Sequence, residues 1–234
     1  MISGLQKMTL LDYPGKVACT VFLQGCNFRC PFCHNSDLLP RQGEDFLSNE
    51  EFFAFLKKRK GLLDAVCVSG GEPTLYPQLP EFLAQIKALG YLVKLDTNGS
   101  NPKLLQTLLE EKLVDHVAMD IKNAPQSYAQ TVGLGKMDLS TLEESIRLLM
   151  NSGISYEFRT TVVAQLHDEG AMEAMGQWLG GLIPGKKPEI LYLQKFVDRE
   201  SVLFSGLSAP GQAQLENFKT ILEPFVKKIA IRGE

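Results

Sequence analysis

Short apolar runs alternate with amphipathic segments along most of this chain. The runs are rich in β-branched and aromatic residues and end at glycine, proline or polar residues, a pattern typical of buried strands. They predict strands at 17–23, 65–69, 91–95, 114–119, 155–163 and 190–196, with one more short strand at 228–232. The segments between them repeat apolar side chains at helical spacing. They predict helices at 80–89, 102–112, 169–179 and 212–225, and two more that follow the capping boxes Ser48–Glu51 and Ser140–Glu143.

Six β-α units in strict alternation predict a parallel sheet with helices packed outside it. Polar residues follow the carboxyl ends of successive strands, at 26–33, 70–74, 96–98 and 120–122. In a β/α barrel that edge holds the active site, so a barrel is favoured over an open doubly wound sheet. Six units are too few to close an eight-fold barrel. We therefore expect an α/β fold, an open, partial (β/α)6 TIM-like barrel of parallel strands with helices outside, whose opening faces a large substrate.

The expected domain organisation is a single domain over residues 1–234. Its core lies at about 15–200, and a C-terminal helix and short strand at about 210–234 pack on that core.

The composition narrows the class of protein without naming a function. The chain is 44% hydrophobic and 22% charged, and its formal net charge of -3 gives no reason to expect nucleic acid or an anionic membrane as a partner. No run approaches the roughly 18 apolar residues of a membrane span, and the first residues lack a signal-peptide pattern. We therefore expect a cytoplasmic protein, in which five cysteines are metal ligands or buried thiols rather than disulfides.

The loop after the first predicted strand carries three thiols within eight residues, at Cys26, Cys30 and Cys33. Thiolates are soft ligands that suit zinc and iron–sulfur clusters. Structural zinc nearly always takes four protein ligands, and here the fourth would have to be His34, which is adjacent to Cys33, or Cys19 or Cys67, which lie outside the loop. Three buried thiols without a metal would not explain their crowding on one loop.

Two further interpretations of this loop involve iron. Cys30 to His34 fits the Cys-x-x-Cys-His pattern of haem attachment, but that pattern needs export and leaves Cys26 unexplained. A four-iron, four-sulfur cluster commonly takes four thiolates. A cluster held by three would keep one iron without a protein ligand, and an open position on a metal indicates chemistry rather than structure.

The spacing Cys26-x3-Cys30-x2-Cys33, with the aromatic Phe32 before the last cysteine, resembles the signature of the radical S-adenosylmethionine (SAM) enzymes. The resemblance implies that the three cysteines are catalytic and hold a [4Fe-4S] cluster whose unique iron is chelated by the amino and carboxylate groups of SAM. It also implies that one electron from the reduced cluster cleaves SAM to methionine and a 5′-deoxyadenosyl radical, which abstracts hydrogen. Phe32 is then a cofactor contact.

The turn after the second predicted strand resembles the Gly-Gly-Glu-Pro motif of the same family. It consists of Gly70, Gly71, Glu72 and Pro73. An ordinary turn would also explain this sequence, because glycine and proline dominate turns. The resemblance implies contact with the SAM amino group, and glycines let a backbone approach a ligand closely.

The next two strand ends resemble motifs of the activating enzymes of glycyl radical enzymes. These residues are Asp96, Thr97 and Asn98 after the third strand, and Asp120 and Lys122 after the fourth. Each could also be an Asx turn or a solvated charge. The resemblance implies that Asp96, Asn98, Asp120 and Lys122 contact SAM, and that Asp96, Thr97 and Asp120 bind a monovalent cation. Asp120 and Lys122 are expected on one face of the strand, since side chains alternate.

Residues outside these motifs are assigned mainly to structure. Arg159 on the fifth strand resembles a SAM-carboxylate contact, although a salt bridge at the rim explains it equally well. The histidines are expected to be structural or surface residues, and the two remaining cysteines are expected to be core thiols. These residues are His34, His116, His167, Cys19 and Cys67.

The opening segment at 4–16 resembles the lead-in of anaerobic ribonucleotide reductase activating proteins. The resemblance implies installation of a glycyl radical on a partner enzyme, with anaerobic ribonucleoside-triphosphate reductase expected as the partner and flavodoxin or ferredoxin as the electron donor. Residues 193–196 differ from the histidine-containing segment of pyruvate formate-lyase activating enzyme, which leaves the partner open. Two alternatives remain: a radical SAM enzyme acting on a small molecule, as a deazapurine synthase does, and a non-catalytic zinc or electron-transfer module.

Overall fold

The computed structural model describes residues 2–39 and 46–233. Eight strands form one sheet in chain order, with β1 and β8 at its two edges. Neighbouring strands are parallel except for the antiparallel pair β1–β2. The strands are β1 Ile2–Thr9, β2 Ala18–Leu23, β3 Ala65–Gly70, β4 Leu92–Thr97, β5 His116–Asp120, β6 Ser155–Val162, β7 Leu191–Lys195 and β8 Ile229–Arg232.

Seven α-helices connect the strands. They are α1 Asn49–Lys58, α2 Leu79–Ala88, α3 Pro102–Glu110, α4 Pro125–Thr131, α5 Ser140–Asn151, α6 Glu169–Gly181 and α7 Gln212–Leu222. Short 3-10 turns follow β2 and β3, at Ser36–Leu38 and Pro73–Leu75. No helix in the described part of the chain is long and apolar enough to cross a membrane.

The sheet is curled rather than flat. His34, which follows β2, stacks on Phe196, which follows β7, with ring centres 5.6 Å apart. Five strand spacings of about 4.8 Å would separate these strands by roughly 24 Å in a flat sheet. The contact therefore confirms the predicted partial barrel, which is open because β1 and β8 are not paired with each other among the described residues.

Alternation along the strands divides apolar from polar side chains. In β4, Val93 and Leu95 belong to the main apolar core, whereas Lys94 and Asp96 are joined by an ion pair. The same alternation recurs in β6, where Phe158 lies between Glu157 and Arg159. The apolar face packs against the surrounding helices and the polar face lines the barrel interior. A small second apolar cluster closes the interior at the amino ends of the strands, around Tyr13, Ala18, Ala65 and Cys67.

All six predicted helices and all seven predicted strands are present, with ends shifted by a few residues. The capping box at Ser48 is confirmed, because Ser48 Oγ accepts from Glu51 N and Glu51 Oε2 accepts from Ser48 N. The box predicted at Ser140 is wrong. The helix already includes Ser140, whose N–H donates instead to Asp138 Oδ1 at 2.9 Å.

Two elements were not predicted, β1 and α4. In β1, Gln6, Lys7 and Met8 are exposed, so the strand lacks the apolar run that identifies buried strands. Exposed charged side chains are common on edge strands, where they discourage pairing with another chain. Helix α4 has no apolar stripe, since its buried residues are Tyr128 and Thr131, with Pro125 at its start.

Candidate active site

The cysteine loop is fixed to its neighbours by backbone hydrogen bonds. Gly25 N donates to Leu38 O at 2.7 Å, and Gly25 O accepts from Glu72 N at 2.8 Å. Arg29 N donates to Val132 O at 2.8 Å, just after α4. The Arg29 side chain also donates to the carbonyls of Cys26 and Phe28 within the loop. The loop is therefore held by β3 on one side and by the unpredicted helix α4 on the other.

The three loop thiols line one cavity and none forms a disulfide. Burial raises the pKa of each thiol, that of Cys30 to about 12, although the nearby Lys122 ammonium lowers it. Metal coordination deprotonates a thiol outright, so a bound cationic group would reverse this effect. Within the described residues, no three His, Cys, Asp or Glu side chains are close enough together to hold a single metal ion.

The two glycines after β3 let that strand end touch the cysteine loop. A Cβ on Gly70 would lie 2.2 Å from Leu23 O, and a Cβ on Gly71 would lie 2.1 Å from Gly25 O. Gly70 also has a φ of +124°, which L side chains rarely adopt. We predicted that these glycines let the backbone approach a ligand. In the structure they let the end of β3 approach the backbone of the cysteine loop. Both glycines line the cavity.

Glu72 lies behind the cavity wall and is fully engaged. Its Oε1 accepts from Thr74 N, Thr74 Oγ1 and Thr97 Oγ1, and its Oε2 accepts from Asn98 N at 2.6 Å. The side chain is 1% exposed, and burial raises its pKa despite these donors. Pro73 is also buried and starts the following 3-10 turn. The structure therefore brings the backbone of this turn to the cavity, while the Glu72 carboxylate ties the turn to the end of β4.

The ends of β4, β5 and β6 carry an ionic network. Arg159 Nε donates to Asp120 Oδ1 at 2.9 Å, and Arg159 Nη1 lies 3.3 Å from Asp96 Oδ2. Lys122 Nζ donates to Asp120 Oδ2 at 2.7 Å. Burial alone would raise the pKa of Asp120, but the charges of Arg159 and Lys122 outweigh it and hold this pKa below its usual range. The expected rim salt bridge of Arg159 is present, and the same residue lines the cavity.

Thr97 and Asn98 join this network to the cysteine loop. Thr97 Oγ1 donates to Glu72 Oε1 and accepts from Gly99 N. Asn98 Nδ2 donates to Asn27 Oδ1 at 2.9 Å and lies 4.0 Å from Cys26 Sγ. Side chains from two predicted motifs therefore meet within one layer of hydrogen bonds.

Lys122 is supported from behind by residues that no motif indicated. His167 Nε2 donates to Lys122 O at 3.0 Å, and His167 Nδ1 accepts from Val163 N. Burial lowers the pKa of His167, which favours the neutral ring that this pairing requires. Tyr128 OH accepts from Lys122 N at 3.3 Å. The Lys122 ammonium itself lies 6.0 Å from the centre of the Phe32 ring.

The cavity has a volume of about 450 Å³ and opens at the carboxyl ends of the strands. It brings together the three cysteines, Phe32, both glycines, Asp96, Thr97, Asn98, Asp120, Lys122 and Arg159. It also includes residues that the sequence did not single out. These are Asp12, Phe28, Asn35, Leu39, Ser69, Thr161, Gln194 and Arg199, together with His34, which we expected to be structural.

Deeper in the barrel, four side chains form what we call the inner charge cluster: Lys94, His116, Glu157 and Arg232. Both Glu157 oxygens accept from Arg232 at 2.9 Å, and Lys94 Nζ lies 3.8 Å from Glu157 Oε1. His116 Nε2 lies 3.8 Å from Glu157 Oε2. Burial alone would raise the pKa of Glu157, but its three neighbours outweigh it and hold the pKa well below its usual range.

The histidines differ in their positions, because His34 lines the cavity whereas the other two lie within the core, where Cys19 and Cys67 also lie as expected. His116 and His167 are buried and hydrogen-bonded, and His34 Nε2 lies 2.7 Å from Val197 O. Cys19 and Cys67 are fully buried.

Comparison with known proteins shows the family to which the chain belongs. The family model of the radical SAM superfamily matches residues 20–176. A Methanocaldococcus jannaschii protein named as a glycyl-radical enzyme activating enzyme is 29% identical over 240 residues, covering 99% of this chain and 95% of that protein. The pyruvate formate-lyase-activating enzyme of Clostridium pasteurianum is 32% identical over 173 residues, covering 71% of this chain and 70% of the relative. The chain therefore belongs to the radical SAM superfamily, and within it to the glycyl-radical-enzyme activase type.

Solved structures share the fold. A domain of pyruvate-formate lyase-activating enzyme from Bacteroides vulgatus superposes with a TM-score of 0.58 at 20% identity, covering 72% of this chain and 99% of that chain. Streptococcus suis SuiB, solved with its precursor peptide, gives a TM-score of 0.70 at 12% identity over 92% of this chain and 48% of that chain. These likenesses support the partial barrel.

Membership of the superfamily implies a [4Fe-4S] cluster and SAM, and the donor set of the cavity fits both. Three thiols on one loop supply the soft ligands that iron–sulfur clusters take. Paired carboxylates, an ammonium and a guanidinium supply hydrogen-bonding partners for the charged ends and ribose of SAM.

Proposed function

We propose that this protein installs a glycyl radical on a partner enzyme, and that the partner is anaerobic ribonucleoside-triphosphate reductase. The observation that carries the proposal is the single cavity that joins three thiols of one loop to the ionic network of Asp120, Lys122 and Arg159. Cys26, Cys30 and Cys33 would hold the [4Fe-4S] cluster, which when reduced would supply one electron for the cleavage of SAM, and the chemistry so generated would remove a hydrogen atom from the partner's glycine.

The proposed roles of the residues follow from their positions. Cys26, Cys30 and Cys33 hold the cluster. Lys122 and Arg159, each fixed by Asp120, bind the carboxylate and ribose of SAM, because both cations are oriented by short charge-assisted hydrogen bonds. The remaining proposed SAM contacts are Phe32, Asp96, Asn98 and the backbone of Gly70, Gly71, Glu72 and Pro73, where the Glu72 side chain acts by fixing the turn.

A monovalent cation at Asp96, Thr97 and Asp120 is part of the proposal. Support comes from Asp96 Oδ1, which is buried and has no hydrogen-bond donor among the described residues, although Lys94 Nζ lies 3.4 Å away. Carboxylate and hydroxyl oxygens are suitable ligands for hard cations.

The wider setting is proposed on chemical grounds. A protein that works through free thiol ligands suits a reducing cytoplasm. Flavodoxin or ferredoxin is the proposed electron donor, and no role for nucleic acid or a membrane is proposed. Residues 1–234 are proposed to act as one domain, since one sheet and one main core run through the described residues.

The test is radical transfer under anaerobic conditions. The protein is reconstituted with iron and sulfide, reduced with dithionite, supplied with SAM and mixed with anaerobic ribonucleoside-triphosphate reductase. We expect a glycyl radical signal in electron paramagnetic resonance, one 5′-deoxyadenosine per radical, and no signal when the partner's radical glycine is replaced by alanine.

Other outcomes would contradict the proposal in different ways. A glycyl radical on a different partner would retain the activase and overturn the choice of reductase. Turnover of a small molecule without any protein radical would favour the deazapurine synthase type. A colourless, zinc-loaded protein that cannot cleave SAM would remove the radical chemistry altogether.

A further inference from the structure

The two sides of the cavity differ in how their polar groups are satisfied. On the side formed by β3 to β5 and Arg159, the charged side chains are paired with one another. On the adjoining side, the half-buried Thr161 and Gln194 and the exposed Arg199 line the cavity, yet among the described residues their side chains have no hydrogen bond or ion pair. We call these three residues the open polar side. Polar groups that are shielded from solvent normally have partners, so the half-buried Thr161 and Gln194 are suited to an incoming ligand, which the exposed Arg199 beside them can also reach.

The open polar side lies next to the ionic network. Thr161 and Gln194 are directly paired in the register of β6 and β7. Thr161 follows Arg159 by two residues, so both side chains lie on the inner face and Thr161 is nearer the mouth. The ligand that binds here therefore lies beside the proposed SAM site and toward solvent.

The segment that carries Arg199 is hydrogen-bonded to the cysteine loop. This segment, residues 197–204, is bound to the cysteine loop through His34 Nε2, 2.7 Å from Val197 O, and through Phe204 N, which donates to Pro31 O at 3.2 Å. Ser201 Oγ donates to His34 O at 2.8 Å. Arg199 therefore lies on a segment that is attached to the loop that carries the thiols.

The chemistry of the open polar side matches a protein main chain. A glutamine amide can donate to a carbonyl and accept from an N–H of the same peptide group, a threonine hydroxyl can do either, and a guanidinium donates to carbonyls. Apolar side chains surround the mouth on the same segment, where Val197, Leu203 and Phe204 are 46%, 42% and 60% exposed. Exposed apolar groups beside unpaired amide donors fit an extended protein segment better than a small charged metabolite.

We propose that Thr161, Gln194 and Arg199 bind the main chain of the extended glycine-bearing segment of the partner protein, and that Val197, Leu203 and Phe204 contact its side chains. This inference rests on the proposed function, because it requires that the substrate be a protein. It assigns partner recognition to Thr161, Gln194 and residues 197–204, and leaves SAM binding to the adjoining ionic network that includes Arg159.

The test uses the reconstituted holoenzyme carrying Gln194→Ala, with Gln194→Asn as the conservative variant. We expect the KM for the partner protein to rise about 3- to 10-fold in Gln194→Ala, which corresponds to the loss of one ordinary hydrogen bond, and to recover in part in Gln194→Asn. The Kd for SAM and partner-independent SAM cleavage should stay within about twofold of wild type. The matched control is Gln177→Ala, an exposed glutamine on α6 whose amide contacts only Glu173 among the described residues.

A second measurement probes main-chain recognition directly. The probe is a synthetic peptide of about ten residues centred on the partner's radical glycine, compared with the same peptide N-methylated on the two flanking amides. Wild type should bind the methylated peptide less well, and Gln194→Ala should discriminate less between the two, as expected for a direct contact in a double-mutant cycle.

The outcomes separate this inference from the proposed function. If wild type produces no radical on a protein partner, the proposed function fails first. If wild type produces the radical but Gln194→Ala keeps the wild-type KM, or loses SAM affinity instead, the assignment of the open polar side to the partner's main chain is overturned.

Discussion

Two parts of the barrel interior carry dense charge, and they use it differently. At the mouth, Asp120, Lys122 and Arg159 pair with one another but still line a cavity beside three thiols. In the inner charge cluster, Glu157 is 2% exposed and its oxygens are consumed by Arg232 and Lys94. The comparison indicates that the mouth keeps surface for ligands, whereas the inner cluster binds strands β4, β6 and β8 together.

Because of this difference, we expect variants in the two parts to have different effects. Variants at the mouth should lose ligand binding or catalysis while keeping the fold, and variants in the inner charge cluster should lose stability while keeping SAM affinity.

Replacing Cys30 by alanine should abolish both the cluster and SAM cleavage, because a buried ligand of the proposed cluster is removed. Iron and sulfide content and 5′-deoxyadenosine formation measure the effect. Cys67→Ala is the control, since Cys67 is buried away from the cavity in the second apolar cluster, and it should retain the cluster. A Cys30→Ala protein with full cluster content would contradict the proposed ligand set.

Replacing Glu157 by glutamine should lower the free energy of unfolding by about 3 kcal/mol, because Lys94 and Arg232 would lose their shared buried carboxylate. Urea unfolding measures this loss, and Glu173→Gln on the exposed face of α6 is the control. The Kd for SAM should change less than twofold. If Glu157→Gln lowered the affinity for SAM without lowering stability, the proposed division between a ligand-binding mouth and a structural inner charge cluster would be wrong.

Replacing Gly71 by alanine should lower stability by about 1 to 3 kcal/mol and also weaken SAM binding, since the new Cβ would lie 2.1 Å from Gly25 O and displace the cysteine loop. Gly181→Ala is the matched control, because a Cβ there meets nothing within 4 Å. Thermal unfolding and SAM titration measure both effects. Unchanged SAM affinity in Gly71→Ala would argue against the loop position as a requirement for binding.

Replacing Lys122 by alanine should keep the cluster and raise the Kd for SAM about 10- to 100-fold, the effect of losing a charge-assisted hydrogen bond. Isothermal titration of the reconstituted protein measures it, with the exposed Lys103→Ala as the control. Loss of the cluster in Lys122→Ala would mean that the ammonium supports the thiolates rather than SAM.

The pH dependence of stability should reveal Glu157. Its pKa is lowered in the folded state, so the unfolded chain binds the proton first as the pH falls below about 4.3. The stability gained from Glu157 is therefore complete above that pH and decreases below it, by up to about 1.4 kcal/mol for each pH unit. The difference in unfolding free energy between wild type and Glu157→Gln should shrink between pH 5 and pH 3. A constant difference would contradict the lowered pKa.

Much of the fold could be predicted because its signals are local. Apolar runs such as 65–69 and helix stripes such as that at 102–112 are complete within one element. Strand β1 and helix α4 were missed, because their structure depends on pairing with β2 and on packing below the cysteine loop rather than on their own pattern.

The candidate site likewise has features that the local sequence predicts and features that it does not. The cysteine spacing and the strand-end motifs lie within a few residues of one another in the chain, and their meeting at one edge follows from a parallel sheet. The roles of Gly70 and Glu72 could not be read in advance, because they depend on the backbone of a different segment. Thr161, Gln194 and Arg199 carry no motif at all.

The sequence by itself determined the alternating α/β order, the three-thiol loop and the polar ends of the strands, because each of these features depends on residues that are close together in the chain. The tertiary structure alone decided which charges became buried partners. Lys94 and Glu157 lie 63 residues apart in otherwise ordinary alternating strands, and the curling of the sheet turned their faces inward. The sequence shows which side chains are charged, but the curvature of the sheet determines which of them lie close enough to form a pair.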